Sequence, residues 1–460
     1  MNDLAKSTST LPQLLLNHAS ANPKGVALRH HELGRWKQTT WAELLARVES
    51  IAFGLGKLGV GVGTRVALVG SNHPTMVAAD LAALALGAVT VPIDSGLSPL
   101  TLTTLIRKTG AEFAVVGDQQ QFDKIGSDPQ ALAGLKTVVI ADTRGMRELE
   151  STPWTGQSVE RLALSQLIRA GIGSTLDLRT TIGSRRLEDP ATIDVYALYG
   201  APTETSVRTH AELASAGTLH HPDVTLHAGD ELLAVLSMAR PKERALTEVA
   251  WLHSGAVLNV GIGGEVEGLE LQQVQPTVVQ LDAYRLDAMR AGIVHRLGAK
   301  GFRAKSALKT MAKSGSGIAR PALRDARVFR ALGGVSIGIC LLLTNTLRSL
   351  HGLARVGLCL AVVGVAVIVA MASGVAIRPF VRKAYGLNRA RQLVAFDTLP
   401  DSVIDLFSGL HLAPTGTNNT RATPLAGTDL ESLSGAGASP RTSPGSESSG
   451  STPSTQSSYK

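Results

Sequence analysis

The chain has 460 residues, enough for two or three domains, with 44 % hydrophobic and only 4 % aromatic residues and a formal net charge of +8. Its two cysteines, Cys340 and Cys359, both lie in apolar runs, which excludes a disulfide framework and a cysteine zinc site and fits a reducing compartment. The N-terminal MNDLAKSTSTLPQ has no apolar core of leader length, so the bulk of the protein is expected in the cytoplasm.

Thr40-Trp41-Ala42-Glu43 is a capping box, and Leu44, Leu45, Val48, Ile51, Ala52, Leu55 and Leu58 follow at helical spacing. GVGVGT (59–64) contains GxG but leads into a strand, so it is no dinucleotide fingerprint. RVALVG (65–70) reads as a buried strand, Thr75–Leu86 as a helix and AVTVPI (88–93) as a strand. Ser98-Pro99 starts a further helix with proline at its first position, and EFAVVG (112–117) and KTVVIA (136–141) complete the series. This rhythm predicts a parallel sheet covered by helices. A weaker α/β pattern runs from Asp189 to Ile293.

The positive charge is local. Lys300, Arg303, Lys305, Lys309, Lys313, Arg320, Arg324, Arg327 and Arg330 face a single acid, Asp325, which suits anionic lipid headgroups better than nucleic acid because an apolar region follows at once. Val356–Ile377 carries no charge and has the length of a bilayer span, and Ala331–Leu347 is a shorter apolar run. Together they predict a transmembrane helical hairpin with both outer ends in the cytoplasm, the alternative being a buried hairpin in a soluble core. From Ala413 the chain is rich in Gly, Ser, Thr and Pro and is expected to be a disordered tail. The expected organisation is therefore an α/β segment over 1–185, a second over 186–299, a basic juxtamembrane stretch over 300–330, the hairpin over 331–377, a short return of core over 378–412 and the tail over 413–460.

WKQTTWAEL (36–44), GTRVALVGSNHPTMVAADLAALALGAVTVPID (63–94) and LIRKTGAEFAVVGD (105–118) resemble, in wording and order, the adenylate-forming superfamily, specifically long-chain acyl-CoA synthetases. LAVLSMARPKER (233–244), VQPTVV (274–279), AGI (291–293) and residues 378–410 resemble later segments of the same family. The resemblance implies the α/β N-terminal subdomains of an AMP-binding fold, incomplete and interrupted by the hairpin.

In that family a loop of the form TSGTTGxPKG cradles the ATP phosphates, since glycines let backbone N–H groups approach and a lysine completes the cradle. The corresponding stretch here is IDVYALYGAPTETSVRTH (193–210), aligned on Thr209-His210. One glycine remains, Gly200; hydroxyls survive at Thr203, Thr205 and Ser206; and Glu204 stands where the resemblance places lysine. YGAPTET also resembles the family's later YGxTE motif, but its place before LAVLSMARPKER and its ending in TH favour the first assignment. Arg240 stands at the family's histidine position and Lys242 at its phenylalanine, ahead of the matching Glu243 and Arg244. No YxTGD motif occurs, and the family's small C-terminal domain with its lysine has no counterpart before the tail.

Phosphate activation needs positive charge around the transferring group, so the expectation is a membrane-attached, catalytically inactive synthetase-like protein at the cytoplasmic membrane. Its expected partners are membrane lipid, a fatty acid or acyl chain, and an active synthetase or other membrane protein, with no nucleic acid. No catalytic residue and no cofactor are expected; ATP with magnesium and CoA enter only under the alternative, a divergent fatty acid–CoA ligase completed by a partner chain. The adjacent pairs His30-His31 and His220-His221 project apart on any regular element, so no metal is expected. Asp282, Asp287 and Glu248 are expected to be solvated surface charges.

Overall fold

In a computed structural model, the structure describes residues 9–32, 34–146, 159–196, 204–220, 224–262, 267–299, 378–395 and 399–415. Its strands are β1 (Val26–Glu32), β2 (Arg35–Thr40), β3 (Arg65–Gly70), β4 (Val89–Asp94), β5 (Phe113–Val116), β6 (Thr137–Ile140) and β7 (Glu160–Ala163). They continue with β8 (Pro190–Tyr196), β9 (Glu204–Thr209), β10 (Glu231–Ala234), β11 (Val257–Val260), β12 (Val278–Leu281), β13 (Gln392–Ala395) and β14 (Pro414–Thr415). Two seven-stranded sheets result, one in the order β7-β6-β5-β3-β4-β8-β9 and the other β14-β13-β12-β10-β11-β1-β2. Neighbours pair in parallel except β1 with β2 and β8 with β9, the antiparallel hairpins at one edge of each sheet.

The predicted strand–helix series is present, with α2 (Trp41–Lys57), α3 (Pro74–Ala85) and α4 (Pro99–Thr109) following α1 (Leu11–Ala21). The Thr40 amide donates to Glu43 Oε2 at 2.8 Å, and the Glu43 amide to Thr40 Oγ1 at 3.3 Å, so the capping box satisfies two donors that helix geometry leaves unpaired. Ser98 caps α4 with Pro99 at its first position, and Gly110 ends it in the left-handed conformation at φ +61°.

Period-two alternation along the strands divides the core. Val66 and Leu68 face a layer of helices between the sheets, while Ala67 and Val69 face the outer helices. The second sheet repeats the pattern, with Leu232 and Val278 turned to the shared layer and Leu233, Val279 and Leu281 to the outer one. In the shared layer Trp41 stacks on Trp251 at 5.4 Å and on His18 at 4.4 Å, and the Trp251 indole donates to the Ala27 carbonyl at 3.0 Å. Gly54 is required by close approach: a Cβ there would lie 2.5 Å from the Leu167 carbonyl oxygen.

The transmembrane hairpin is corrected. Among the described residues no helix is long and apolar enough to cross a membrane, and residues 331–377, on which that expectation rested, lie outside them. An uncharged 22-residue run meets a length criterion, but length alone does not separate a membrane span from an apolar segment of an α/β protein. The basic stretch 300–330 and the tail from 416 onward also lie outside the described residues.

Candidate functional site

The chain passes from β3 to β4 on one side and then to β5 on the other, so the connections leaving β3 and β4 diverge. Helix α3 enters the layer between the sheets and α4 covers the outer face. A crevice forms beyond the carboxyl ends of two such strands, where open α/β sheets hold their ligands. Here it is a cavity of about 50 Å³, with Gly70, Ser71, Asn72 and His73 from the end of β3, Pro92 from β4 and Met238 and Ala239 from the segment after β10. Asp80 of α3 and Glu248 also line it.

Asn72 ties the two sheets together at this mouth. Its Nδ2 donates to the Leu236 carbonyl at 2.7 Å, and its Oδ1 accepts from the Met238 amide at 2.9 Å. Two opposed main-chain bonds fix both the position and the direction of the segment 235–240. That segment ends at Arg240, which is 58 % exposed at its side chain and donates from Nε to Asp94 Oδ2 at 3.2 Å. Asp94 is the last residue of β4, so the ion pair spans the mouth of the crevice.

Beyond Arg240 the chain forms one continuous helical stretch: α-helical Pro241–Arg244, π-helical Ala245–Ala250 and α-helical Trp251–Ser254. A π-helical turn widens the backbone, and such turns recur at functional sites. Arg244, 2 % exposed, immediately precedes it, and Glu248, 1 % exposed, sits on it. Arg244 donates from Nε to Glu248 Oε2 at 2.6 Å, from Nη2 to Asp80 Oδ2 at 2.6 Å and from Nη1 to Thr192 Oγ1 at 2.8 Å. Thr192 in turn donates to the Thr90 carbonyl at 3.0 Å, which carries the network into β4 and β8. Burial pushes the Glu248 carboxyl up to about 7, with the Asp80 carboxylate adding to the rise and Arg244 opposing it.

The expectation that Glu248 is a solvated surface charge is therefore wrong. Its helix is packed on all sides between two sheets, and in an isolated sequence a carboxylate four residues after an arginine looks like an exposed helical pair. Asp282 and Asp287 are charge-paired, Asp282 with Arg285 at 2.7 Å and Asp287 with Arg290 at 2.7 Å. Asp80, hidden in the apolar run VAADLAALA, was missed; its only signal is a lone carboxylate inside an otherwise apolar helix.

The other sequence candidates fall as follows. Residues 197–203, with Gly200 and Thr203, lie outside the described residues. They connect β8 to β9, and Glu204 opens β9 opposite Tyr196, followed by Thr205 opposite Val195 and Ser206 opposite Asp194. Asp194 is buried and paired with Arg208 of β9. His210 starts the helix His210–His220 and is buried; burial lowers its imidazole to about 4, so it is neutral near pH 7. Glu243 is 1 % exposed, and burial pushes its carboxyl well above the usual range against the pull of Arg240 and Arg285. The site thus brings Arg240, Glu243, Arg244 and Glu248 together on one stretch and sets Glu204 on a separate hairpin. His30 and His31 do project apart: His30 lies edge-on to His73 at 5.8 Å and His31 to Trp36 at 5.4 Å. Among the described residues no group of three or more His, Cys, Asp or Glu is placed to hold a metal ion.

A profile of the AMP-binding enzyme family matches residues 15–327. The long-chain-fatty-acid–CoA ligase FadD15 of Mycobacterium bovis is 26 % identical over 276 residues, 58 % of this chain and 42 % of the relative. A fatty acid–[acyl-carrier-protein] ligase, MmaC of Mycobacterium marinum, is 27 % identical over 149 residues, 32 % of this chain and 27 % of the relative. Among solved structures, the A-PCP didomain of carboxylic acid reductase from Segniliparus rugosus, in complex with AMP, superposes with a TM-score of 0.61 at 13 % identity, covering 89 % of this chain and 52 % of that one. The adenylation domain of a carboxylate reductase from Mycobacterium chelonae gives a TM-score of 0.59 at 13 % identity, covering 89 % and 57 %. The likeness to the solved structures is one of fold, and the chain spans less than half, 42 %, of the long-chain ligase it matches.

Proposed function

The chain belongs to the AMP-binding enzyme family, and from that premise we propose that it is a member that does not adenylate a carboxylic acid by itself. The fold is retained to bind an acyl chain or to pair with an active synthetase. The observation that carries this reading is the charge at the β8–β9 hairpin, where Glu204 opens β9 at the position the resemblance gives to a lysine. A carboxylate there repels a polyphosphate that a lysine would attract.

The family's chemistry draws on magnesium–ATP and CoA, and the residues at the mouth do not fit a polyphosphate. Arg240 is engaged by Asp94. His210, next to the hairpin, is neutral near pH 7. Arg244 is buried and committed to Asp80, Glu248 and Thr192. Preorganised positive charge is the largest single contribution to such catalysis, and its loss at several positions is not compensated by hydroxyls alone.

A second reading is a divergent fatty acid–CoA ligase whose remaining parts come from another chain. It is favoured by the relatives, which are named as ligases and of which this chain covers less than half. ATP–pyrophosphate exchange with a panel of fatty acids separates the two. The purified chain is expected to give no acid-dependent exchange, alone or with fatty acids of any length; robust exchange overturns the first reading, and exchange only after a partner chain is added supports the second.

A further inference from the structure

The second sheet is completed by chain that arrives late. β13 pairs in parallel with β12, from Val278↔Gln392 to Leu281↔Ala395, and β14 pairs with β13 in turn. On its other side β12 joins the sheet through β10, at Leu232↔Val278. Without β13, β12 would end the sheet as an open edge with a row of unpaired main-chain groups. The described residues between 9 and 299 thus form a body that presents one strand edge, and residues 378–415 occupy it.

The polar contacts between the two parts come from a few residues of the returning chain. The Arg391 amide donates to the Thr277 carbonyl at 2.8 Å. Its guanidinium donates from Nε to Asp230 Oδ1 at 3.0 Å and also reaches Asp230 Oδ2 and the Thr225 carbonyl. Arg389 donates from Nη1 to Glu231 Oε1 at 3.3 Å, and Gln272 Nε2 donates to the Ala384 carbonyl at 2.8 Å. Gly386, at φ +71°, passes so close to the helix Glu267–Val274 that a Cβ there would lie 2.1 Å from the Leu271 carbonyl oxygen. Leu393, Val403 and Phe407 share one buried core with Leu271, Leu281 and Leu286 of the body.

The covalent connection adds little to this fit. The chain leaves the body from the helix Ala283–Ala299 and returns beside it, with the Arg296 guanidinium over the Tyr385 ring at 5.2 Å. The register of β13 is set by its pairing with β12 and by the Arg391–Asp230 ion pair, and both exist whether or not residues 300–377 join the two parts. A peptide that adds a strand to a sheet edge is a recurrent mode of recognition, in which main-chain bonds give affinity and side chains give specificity. A long connection contributes only a modest effective concentration.

We infer that residues 378–415 are a docked peptide, bound to the body at the β12 edge, and that they stay bound when the chain between the two is cut. The body's face consists of β12 and the helices Glu267–Val274 and Ala283–Ala299. Its occupant is this chain's own returning segment, recognised by a parallel strand, by Arg389 and Arg391 against Glu231 and Asp230, and by a glycine against the Leu271 carbonyl. Neither reading of the activity bears on it.

The test supplies the full sequence as two chains, residues 1–315 and 316–460, expressed together with an affinity tag on the second alone. The first chain is expected to be retained with the second, and the pair to elute in gel filtration as one species at the position of the intact protein. Recovery of 316–460 without 1–315 overturns the inference, as does a pair that is insoluble where the intact chain is soluble. Arg391→Met removes the bonds to Asp230 and Thr225 without a clash and is expected to weaken the pair about 10-fold or more. Gly386→Val is expected to do the same through its clash with the Leu271 carbonyl. In the intact chain Arg391→Met should leave the protein folded, because joined parts need not find each other. Association unchanged in both variants also overturns the inference.

Discussion

Arg244 donates from Nη2 to Asp80 Oδ2 at 2.6 Å, joining residues 164 positions apart in the chain. Asp80 lies on the helix that follows β3, and Arg244 lies on the stretch that leads from β10 to β11. The bond therefore couples the two sheets at the centre of their shared helical layer. Replacing Arg244 by Met leaves Asp80 buried and unpaired, while Glu248 takes up a proton. We expect a loss of about 3–5 kcal/mol in urea unfolding, largely recovered when Asp80→Asn and Glu248→Gln are added, because the uncompensated charge is then gone.

Two buried groups are expected to set the pH dependence of stability in opposite senses. Glu248 binds its proton more tightly when folded, at about 7, than a free carboxylate does, so its contribution is full below the ordinary carboxylate value and is lost as pH rises through 7. Burial lowers the His210 imidazole to about 4, so it favours folding above pH 6.5 and loses that contribution as pH falls towards 4. Each of these two shifts is worth about 3 kcal/mol. Urea midpoints measured from pH 4 to 9 should therefore change little between about pH 4.5 and 6.5, where the two slopes cancel, and fall slightly up to about pH 7; Glu248→Gln should turn the level part into a rise and remove the fall.

The segment carrying Arg240 depends on Asn72. Asn72→Ala removes both main-chain bonds and leaves the Met238 amide and the Leu236 carbonyl to find water. The expected cost is about 1–3 kcal/mol, with faster hydrogen exchange at the Met238 amide as the local readout.

Close packing at Gly54 gives the fourth prediction. A Cβ at this position would lie 2.5 Å from the Leu167 carbonyl oxygen and 2.6 Å from Leu167 Cγ. Backbone cannot yield as a side chain does, so Gly54→Ala should destabilise by about 1–3 kcal/mol despite alanine's better helix propensity. A control such as Gly56→Ala, whose nearest neighbour would be 3.8 Å away, should be neutral or stabilising.

The elements that were legible in the sequence are those whose signals are local. The Thr40–Glu43 capping box, the proline after Ser98 and the alternation of RVALVG each act within a few residues, and each appears in the structure where it was read. The division of strands between the sheets was not legible. The hairpin β1–β2 joins the second sheet through β11, more than 200 residues later, and no local pattern encodes that pairing.

The candidate site shows the same limit. Arg240 was singled out as a departure from a family motif, but its partner Asp94 lies 146 positions away and has no sequence signal. Glu248 and Asp80 were invisible as a pair because each looks ordinary alone, one as a helical surface charge and the other as an interruption in an apolar helix. The membrane hairpin was an overreading: charge-free length is one property of a span, and among the described residues no helix has both the length and the apolarity.

The central claim is that the fold is present while adenylation by this chain alone is not. ATP–pyrophosphate exchange by the purified full-length protein, with and without a panel of fatty acids, tests it most directly. The account predicts that label exchange stays at the acid-free background for every acid. Exchange that depends on a fatty acid and saturates with ATP would contradict it and would return Glu204 to the status of a tolerated variation in a working enzyme.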